Sequence, residues 1–345
     1  MALYELENIQ HHYKGTPVLS IDRLRIAENS VTGLCGPNGS GKTTLLSLLG
    51  LIAPPAAGAI YFRGHRARPY DGRIRDKVAL LPQQSFLLKR SVYQNVAYGL
   101  RIRKNTDNES GRVAHALSLV GLNPEKFTGR PWYALSGGEA RRVAMAARLA
   151  LRPEVLLLDE PTTSVDAASA QLMREAAAEA HLQWGTSLII ASHDMQWLQG
   201  ICYDLVYLFS GTILGKGKKT IVFGPWEHTS GGGAMRTLAD GQVLMAENAP
   251  RDLTGAAAIL DPDDMSLHAS PDDAGAKKRP LKGRIVCLDL EQHTDLIRVL
   301  VFAGRSEFCL YLDAQTLSAR GWQPGTELWL AYRPDRVQWK AHGLQ

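Results

Sequence analysis

Gly36-Pro37-Asn38-Gly39-Ser40-Gly41-Lys42-Thr43 is the stretch from which the fold of this chain is read. It satisfies the pattern Gly-x-x-x-x-Gly-Lys-Ser/Thr, which carries meaning only between a strand and a helix. Both flanks are present. Val31-Thr32-Gly33-Leu34-Cys35 is an apolar run of strand length, and Thr44-Leu45-Leu46-Ser47-Leu48-Leu49 begins a helix. Gly36, Gly39 and Gly41 let the backbone take positive φ and approach a ligand closely. Successive N–H groups then form an anion-binding nest, to which the helix N-terminus adds positive potential. Lys42 brings a point charge to β- and γ-phosphates, and the Thr43 hydroxyl suits a bound Mg²⁺. The expected nucleotide-binding set is this octapeptide together with Thr44.

A phosphate cradle becomes a hydrolase only with an acid to order the metal and a group to direct water. Val155-Leu156-Leu157-Leu158 is an apolar strand that ends in Asp159-Glu160, and we expect it beside the P-loop strand. Asp159 then holds Mg²⁺ through its water shell. Glu160 polarises the attacking water, a role worth about 10²–10⁴-fold in rate. Two more predicted strands run straight into polar residues: Val78–Pro82 into Gln83, and Thr186–Ala191 into Ser192-His193-Asp194. Helical stretches at Ser91–Arg103, Arg112–Val120, Leu135 to about Leu151 and Ala167–His181 alternate with the strands, which predicts an α/β core with a parallel sheet. Ahead of it, Tyr4–Ile9 and Leu19–Leu24 alternate as antiparallel strands do. Tyr13, between them, is either an ordinary strand aromatic or a ring that stacks on a nucleobase.

Composition bounds the reading. At 345 residues the chain is too long for one ordinary core, so two domains are expected. The four cysteines, Cys35, Cys202, Cys287 and Cys309, have no metal-ligand spacing, and no secretory signal precedes them, which points to a reduced, cytosolic protein. Cys35 reads as a small buried core residue. The net charge of +5 is mild, and the runs Lys216-Gly217-Lys218-Lys219 and Lys277-Lys278-Arg279 read as solvated loops, so no nucleic-acid partner is expected. Residues 43–62 carry no charge, but Gly50, Pro54, Pro55 and Gly58 interrupt them. A spanning helix needs about 20 predominantly apolar residues, so no crossing of a bilayer is expected.

Leu135-Ser136-Gly137-Gly138-Glu139 matches without a change the signature of the ATP-binding cassette (ABC) superfamily, which the chain resembles over about its first 215 residues. The resemblance implies an α/β P-loop NTPase core with antiparallel β and helical subdomains, spanning 1–215 with the helical part at about 84–150. It implies ATP as substrate with Mg²⁺. Tyr13 is similar to the aromatic A-loop residue, Gln83 to the glutamine that touches Mg²⁺ and senses the membrane partner, Ser164-Val165-Asp166 to the D-loop, and His193 to the switch histidine at the γ-phosphate. The implied catalytic set is Glu160, His193 and Gln83, and the metal set Thr43, Gln83 and Asp159. The implied nucleotide set gains Tyr13, Ser136, Gly137, Gly138, Glu139 and Asp166. In the family two chains pair head to tail, so that the signature of one closes on the ATP of the other, and hydrolysis releases them.

Ser91-Val92-Tyr93-Gln94-Asn95-Val96-Ala97-Tyr98-Gly99-Leu100 resembles the segment that receives a permease coupling helix in bacterial importers. The implied partners are a second copy of the chain, integral membrane permease subunits on the Gln83-to-Leu100 region, and indirectly a periplasmic solute-binding protein. The implied place is the cytoplasmic face of the inner membrane, peripherally bound. In style the cassette is most similar to tungstate or molybdate importers. Import of sulfate, iron, polyamine or sugar is the alternative, followed by a soluble ATPase unconnected with transport.

Past Gly215 helices become scarce. Asp240-Gly241 predicts a hairpin between Arg236–Leu238 and Val243–Met245, residues 262–281 read as an exposed connector, and strands resume at Gly283–Leu290, Leu296–Phe302, Glu307–Leu312 and Glu327–Tyr332. Residues 216–345 resemble the OB-like regulatory domains of importer ATPases, of the transport-associated OB (TOBE) and molybdate-binding (Mop) types. Lys282-Gly283-Arg284-Ile285-Val286 and Gln323-Pro324-Gly325-Thr326-Glu327-Leu328-Trp329 carry that resemblance. Ile259-Leu260-Asp261-Pro262-Asp263-Asp264-Met265 is echoed by Ala331-Tyr332-Arg333-Pro334-Asp335-Arg336-Val337. Two tandem β units (216–268 and 281–345) or chance would each explain the echo.

Overall fold

Alternation, and its absence, separate two kinds of sheet. β1 (Ala2–Tyr13) buries Tyr4 and Leu6, then Ile9 and His11 after a left-handed Asn8 shifts the phase. It pairs with β2 (Thr16–Ala27) in an antiparallel sheet ordered β2-β1-β4-β5, where β4 is Ala57–Phe62 and β5 is His65–Ala67. By contrast β3 (Val31–Cys35), β7 (Val155–Asp159) and β8 (Ser187–Ala191) are buried at every position. Parallel strands covered on both faces have that pattern. They belong to a second sheet ordered β10-β9-β3-β8-β7-β6, with β6 (Val78–Leu81), β9 (Asp204–Phe209) and β10 (Thr212–Lys216). It is parallel from β9 to β6, and β10 is an antiparallel edge.

This computed structural model describes every residue except 70, 85, 164, 194–196, 199–200, 203, 217–218, 276–277, 291–294 and 341–345. Ser164, Asp194, Gly217, Lys218 and Lys277, named above, lie outside the described residues.

α1 (Lys42–Leu49) joins the two sheets. Its leucines pack in one buried cluster with Tyr4 and Phe62 of the first sheet and Val155, Leu157 and Ile189 of the second. The Tyr4 hydroxyl donates to the Leu49 carbonyl at 3.0 Å, satisfying one of the acceptors that a helix C-terminus leaves free. A short α2 (Gly72–Arg75) precedes β6. The helical subdomain follows: α3 (Val92–Ile102), α4 (Glu109–Leu119), α5 (Pro124–Phe127) and α6 (Gly137–Leu149). α7 (Ala167–Trp184) leads back to β8.

One expectation is corrected here. β7, which carries Asp159, is not beside the P-loop strand: β8 lies between β3 and β7. The chain crosses the site at the carboxyl ends of three parallel strands, with the His193 strand in the middle.

The chain divides into two compact units, Met1–Lys216 and Gly217–Gly343. The second is built of β11 (Thr220–Phe223), β12 (Glu227–His228), β13 (Ala234–Thr237), β14 (Val243–Ala246), β15 (Ala257–Leu260), β16 (Met265–His268), β17 (Arg279–Leu290), β18 (Leu296–Ala303), β19 (Ser306–Asp313), α8 (Ala314–Arg320), β20 (Glu327–Tyr332) and β21 (Gln338–Lys340). Its sheets are ordered β11-β15-β21, β12-β13-β14 and β16-β20-β17-β18-β19. This mostly-β unit after an α/β P-loop core is the fold class expected from the sequence.

The echoed segments adopt the same shape. Each is a strand, a proline-led 3-10 turn (Pro262–Asp264 and Pro334–Arg336) and a second strand. They exchange partners: β16 pairs with β20, while β21 pairs with β15. The supposed connector at 262–281 is therefore partly sheet. Met265 and Leu267 point into the core, and a strand of four residues is too short for its alternation to stand out among Pro, Asp and Ser.

Candidate active site

The P-loop leaves β3 and turns tightly under the β9–β10 hairpin. A Cβ on Gly36 (φ 151°) would lie 2.1 Å from the Leu208 carbonyl oxygen, and one on Gly41 (φ 102°) 2.5 Å from Leu19. Only glycine fits either place. The Gly211 N–H donates to the Ser40 carbonyl at 3.0 Å, fixing the loop to the hairpin turn. Ser40 Oγ is buried with no hydrogen-bond partner among the described residues. Thr44 is buried one turn behind, while Pro37, Asn38 and Gly39 are exposed at the loop crest.

Lys42 is 6% exposed. Its ammonium donates to the carbonyls of Gly36 at 2.8 Å and Pro37 at 3.1 Å, and stands 3.9 Å from Glu160 Oε1. Burial pulls its pKa down, against the pull of Glu160 and Asp159. The Thr43 hydroxyl donates to Asp159 Oδ1 at 3.1 Å. Burial raises the pKa of Asp159 and the Thr43 bond opposes it. Thr43 and Asp159 thus set two hard oxygen atoms side by side. Among the described residues no group of three or more His, Cys, Asp or Glu forms a closed metal cage. One carboxylate and one hydroxyl suit Mg²⁺, which takes most of its shell from water and substrate phosphate.

Glu160 sits at φ 44°, left-handed for a residue with a side chain. Such a backbone costs about 1–3 kcal/mol and persists where its surroundings over-determine it. Its N–H donates to the Ala191 carbonyl at 2.8 Å. Its Oε2 accepts from His193 Nδ1–H at 2.8 Å and from the Ser192 hydroxyl at 3.3 Å. The His193 side chain is 61% exposed and the Glu160 side chain 6% exposed, so the histidine is the solvent-side member of the pair.

One chain thus brings together Lys42, Thr43, Asp159, Glu160 and His193. The Gln83 side chain is exposed just past β6, and the carbonyl of Gln83 accepts from Arg141 at 2.7 Å. Tyr13, at the end of β1, is 55% exposed and meets His11 edge-on at 5.1 Å. Ser136 caps α6 with a reciprocal capping box: its Oγ accepts the Glu139 N–H at 3.2 Å, and Glu139 Oε2 accepts the Ser136 N–H at 2.8 Å. That backbone donor, with Arg130 helping, lowers the pKa of Glu139. Gly137 and Gly138 form the first turn, and a Cβ on Gly138 would lie 3.2 Å from Ser169 Oγ. Asp166 caps α7, accepting the Ser169 N–H at 2.8 Å and hydroxyl at 3.0 Å. No hydrogen bond or ion pair among the described residues joins 136–139 to the P-loop.

Two residues of the site escape the sequence reading. Ser192 stands unremarked beside His193. Arg141 is 6% exposed on the face of α6 that also buries Ala144 and Met145. A charge on an apolar helical stripe is the signal that could have found it. Burial pulls its pKa down to about 10, so it remains a cation at neutral pH. Cys35 is buried, and burial pushes its thiol up to about 12, which keeps it protonated beside the loop.

Residues 19–163 match the family model described as ABC transporter. The chain is 34% identical over 208 residues to the tungstate uptake system ATP-binding protein TupC of Peptoclostridium acidaminophilum, covering 60% of this chain and 95% of that one. It is 32% identical to a sulfate/thiosulfate import ATP-binding protein CysA of Mesostigma viride, covering 63% of this chain and 62% of that one. Its fold matches the dimeric structure of MJ0796, a bacterial ABC transporter cassette, with a TM-score of 0.58 and 25% identity, over 62% of this chain and 98% of that one.

Proposed function

Because the chain belongs to the ATP-binding cassette (ABC) transporter family and is an ATPase of that family, we propose that it powers a bacterial importer, working as one of two copies that close head to tail on ATP. The observation that carries this is the split in the site. Lys42, Thr43, Asp159, Glu160 and His193 converge within hydrogen-bonding or ion-pairing reach, while no bond among the described residues joins the capped N-terminus of α6 at Ser136 to them. A helix N-terminus is an anion site, and a second copy would supply it.

In this reading the P-loop amides and Lys42 hold the β- and γ-phosphates. Thr43, Asp159 and the Gln83 side chain hold Mg²⁺, which supplies neutralisation of phosphate charge. Tyr13 stacks on the adenine. Ser136, Gly137, Gly138 and Glu139, with Asp166 behind them, close from the partner copy. Glu160 accepts a proton from the attacking water. His193 and Ser192 hold Oε2, so that the carboxylate presents Oε1 on the Lys42 side. His193, being exposed, reports the γ-phosphate.

The permease would dock on a cleft of about 460 Å³ between the end of α1, β6 and α3. Ile52, Tyr98 and Ile102 are exposed apolar residues on its rim. No helix among the described residues is long and apolar enough to cross a membrane, in keeping with a peripheral subunit held by such a partner at the cytoplasmic face. The solute we propose is an oxyanion of the tungstate or molybdate class, delivered by a periplasmic binding protein, and the C-terminal unit serves as a TOBE/Mop-type regulatory domain. The relative that imports sulfate or thiosulfate supports a second solute within the same class of chemistry.

Glu160→Gln tests the assignment. ATP binding is retained, hydrolysis falls about 10²–10⁴-fold, and an ATP-dependent dimer accumulates on size-exclusion chromatography. Turnover near that of the parent chain would refute it. For the solute, ATPase activity in vesicles carrying the permease is compared with tungstate-, molybdate- and sulfate-loaded binding protein. Stimulation by none of the three would remove the oxyanion reading.

A further inference from the structure

α6 begins at the signature and runs beneath the catalytic turns, with Arg141 one turn into it. Its guanidinium reaches two separate segments. Nη1 donates to the carbonyls of Pro82 at 2.6 Å and Gln83 at 2.7 Å. Nη2 donates to those of Asp159 and Glu160, each at 3.1 Å, and Nε to that of Pro161 at 3.3 Å. Among the described residues, three consecutive carbonyls of the acidic turn and two of the Gln83 segment therefore hang on one planar group. One of these carbonyls belongs to Glu160, the residue with left-handed φ, whose N–H donates to the Ala191 carbonyl on one side while its own carbonyl accepts from Arg141 on the other.

We propose that Arg141 is a positioning residue for hydrolysis: it ties the placement of the signature helix to the placement of Glu160 and Gln83 in the same chain. Ser136 and Arg141 stand five residues apart on one helix, a rise of about 7.5 Å, so a shift of the signature is a shift of the guanidinium. Lysine keeps the charge but has three donors on a point and no fork, and cannot reproduce this set of bonds.

Arg148 provides the comparison within the molecule. Two turns further along the same face, it is half-buried and donates to a strand carbonyl, Leu80 at 3.1 Å, and to Ala144 at 3.1 Å. It fastens α6 to β6 below the site, and among the described residues it makes no hydrogen bond to the catalytic turns.

The experiment compares Arg141→Lys, Arg141→Gln and Arg148→Lys in the full chain, by steady-state ATPase kinetics and thermal unfolding. Both Arg141 variants lower kcat roughly 10- to 100-fold with KM for ATP within about threefold, as expected when a catalytic group is misplaced rather than binding lost. Arg148→Lys lowers the unfolding temperature comparably and leaves kcat within about twofold. Either Arg141 variant with near-parental kcat, or an Arg148 variant with an equal kcat loss, overturns the proposal. If no Arg141 variant folds, hydrogen exchange on the parent chain decides. Protection of the Glu160 amide rises when a non-hydrolysable ATP analogue is added, and an unchanged rate there overturns it. The inference rests on Glu160 as the base. Failure of that premise shows separately, as full activity in Glu160→Gln, whereas an inactive Glu160→Gln beside an active Arg141→Lys removes this inference alone.

Discussion

In the first unit Lys42, Arg141, Asp159 and Glu160 are all buried, whereas among its described residues the second unit, aromatic side chains such as Tyr332 aside, buries only Thr220 and Arg298 of its polar or charged groups. Those two are matched locally. Thr220 Oγ1 accepts the Cys309 N–H at 3.0 Å, and Arg298 pairs with Asp289. In the first unit burial drives Lys42 and Asp159 toward their neutral forms, one pKa falling and the other rising. Burying charge is costly unless it is paired. Burial also pulls down the pKa of Arg236 and His268 in the β-rich unit, but both stay partly exposed. The contrast teaches that the cassette buries such groups almost fully, where a charged ligand would reward it.

The most damaging change to this contrast is Lys42→Ala. A charge-assisted bond to phosphate contributes about 1.5–3 kcal/mol, so ATP affinity measured by calorimetry falls roughly 10- to 100-fold. Unchanged affinity would mean the buried ammonium serves the fold alone. Tyr332→Phe probes the other unit. The Tyr332 hydroxyl accepts the Met245 N–H at 2.7 Å and donates to the Met245 carbonyl at 2.9 Å. Its loss leaves both unmatched, for a destabilisation of about 1–3 kcal/mol in denaturant unfolding. ATPase activity per folded molecule stays at the parental level. A fall in kcat would show that the second unit shapes the site.

The smallest effect sharpens the comparison most. Asp159→Asn removes a carboxylate that the native state holds against desolvation. In the absence of nucleotide and metal it raises the unfolding temperature by roughly 2–4 °C near pH 7, while turnover is lost. The sign follows from linkage. A raised native pKa favours the native state when the carboxyl is protonated, below its ordinary value of about 3.9. That advantage is lost as pH rises through the native pKa. The gain of the Asn variant is therefore greatest near neutrality and vanishes in acid. A pH-independent difference would contradict the burial argument.

The P-loop, the acidic turn and the signature were legible because each is a local solution to a local problem. Gly36 and Gly41 sit where a Cβ would strike backbone or Leu19, so residue type alone discloses the geometry. The β7 run is apolar throughout because both faces are covered. Strand order was not legible. The expectation that β7 neighbours β3 failed because sequence proximity of motifs to strand ends says nothing of which strand inserts between them, and β8 does. Met265–His268 was likewise hidden, since its partner β20 lies some sixty residues away in sequence.

From residues alone one can establish which backbones must take left-handed turns and which stretches must be buried, and hence where a nucleotide cradle and a hydrolytic acid pair are to be expected. These follow from sterics and desolvation acting within a few residues. The tertiary structure alone decides that Thr43 meets Asp159, that His193 and Ser192 hold Glu160, that Arg141 gathers carbonyls from two segments, and that two echoed strand pairs exchange sheets. Each joins parts far apart along the chain. No local propensity encodes such a meeting; it is set by how the sheets and α6 pack.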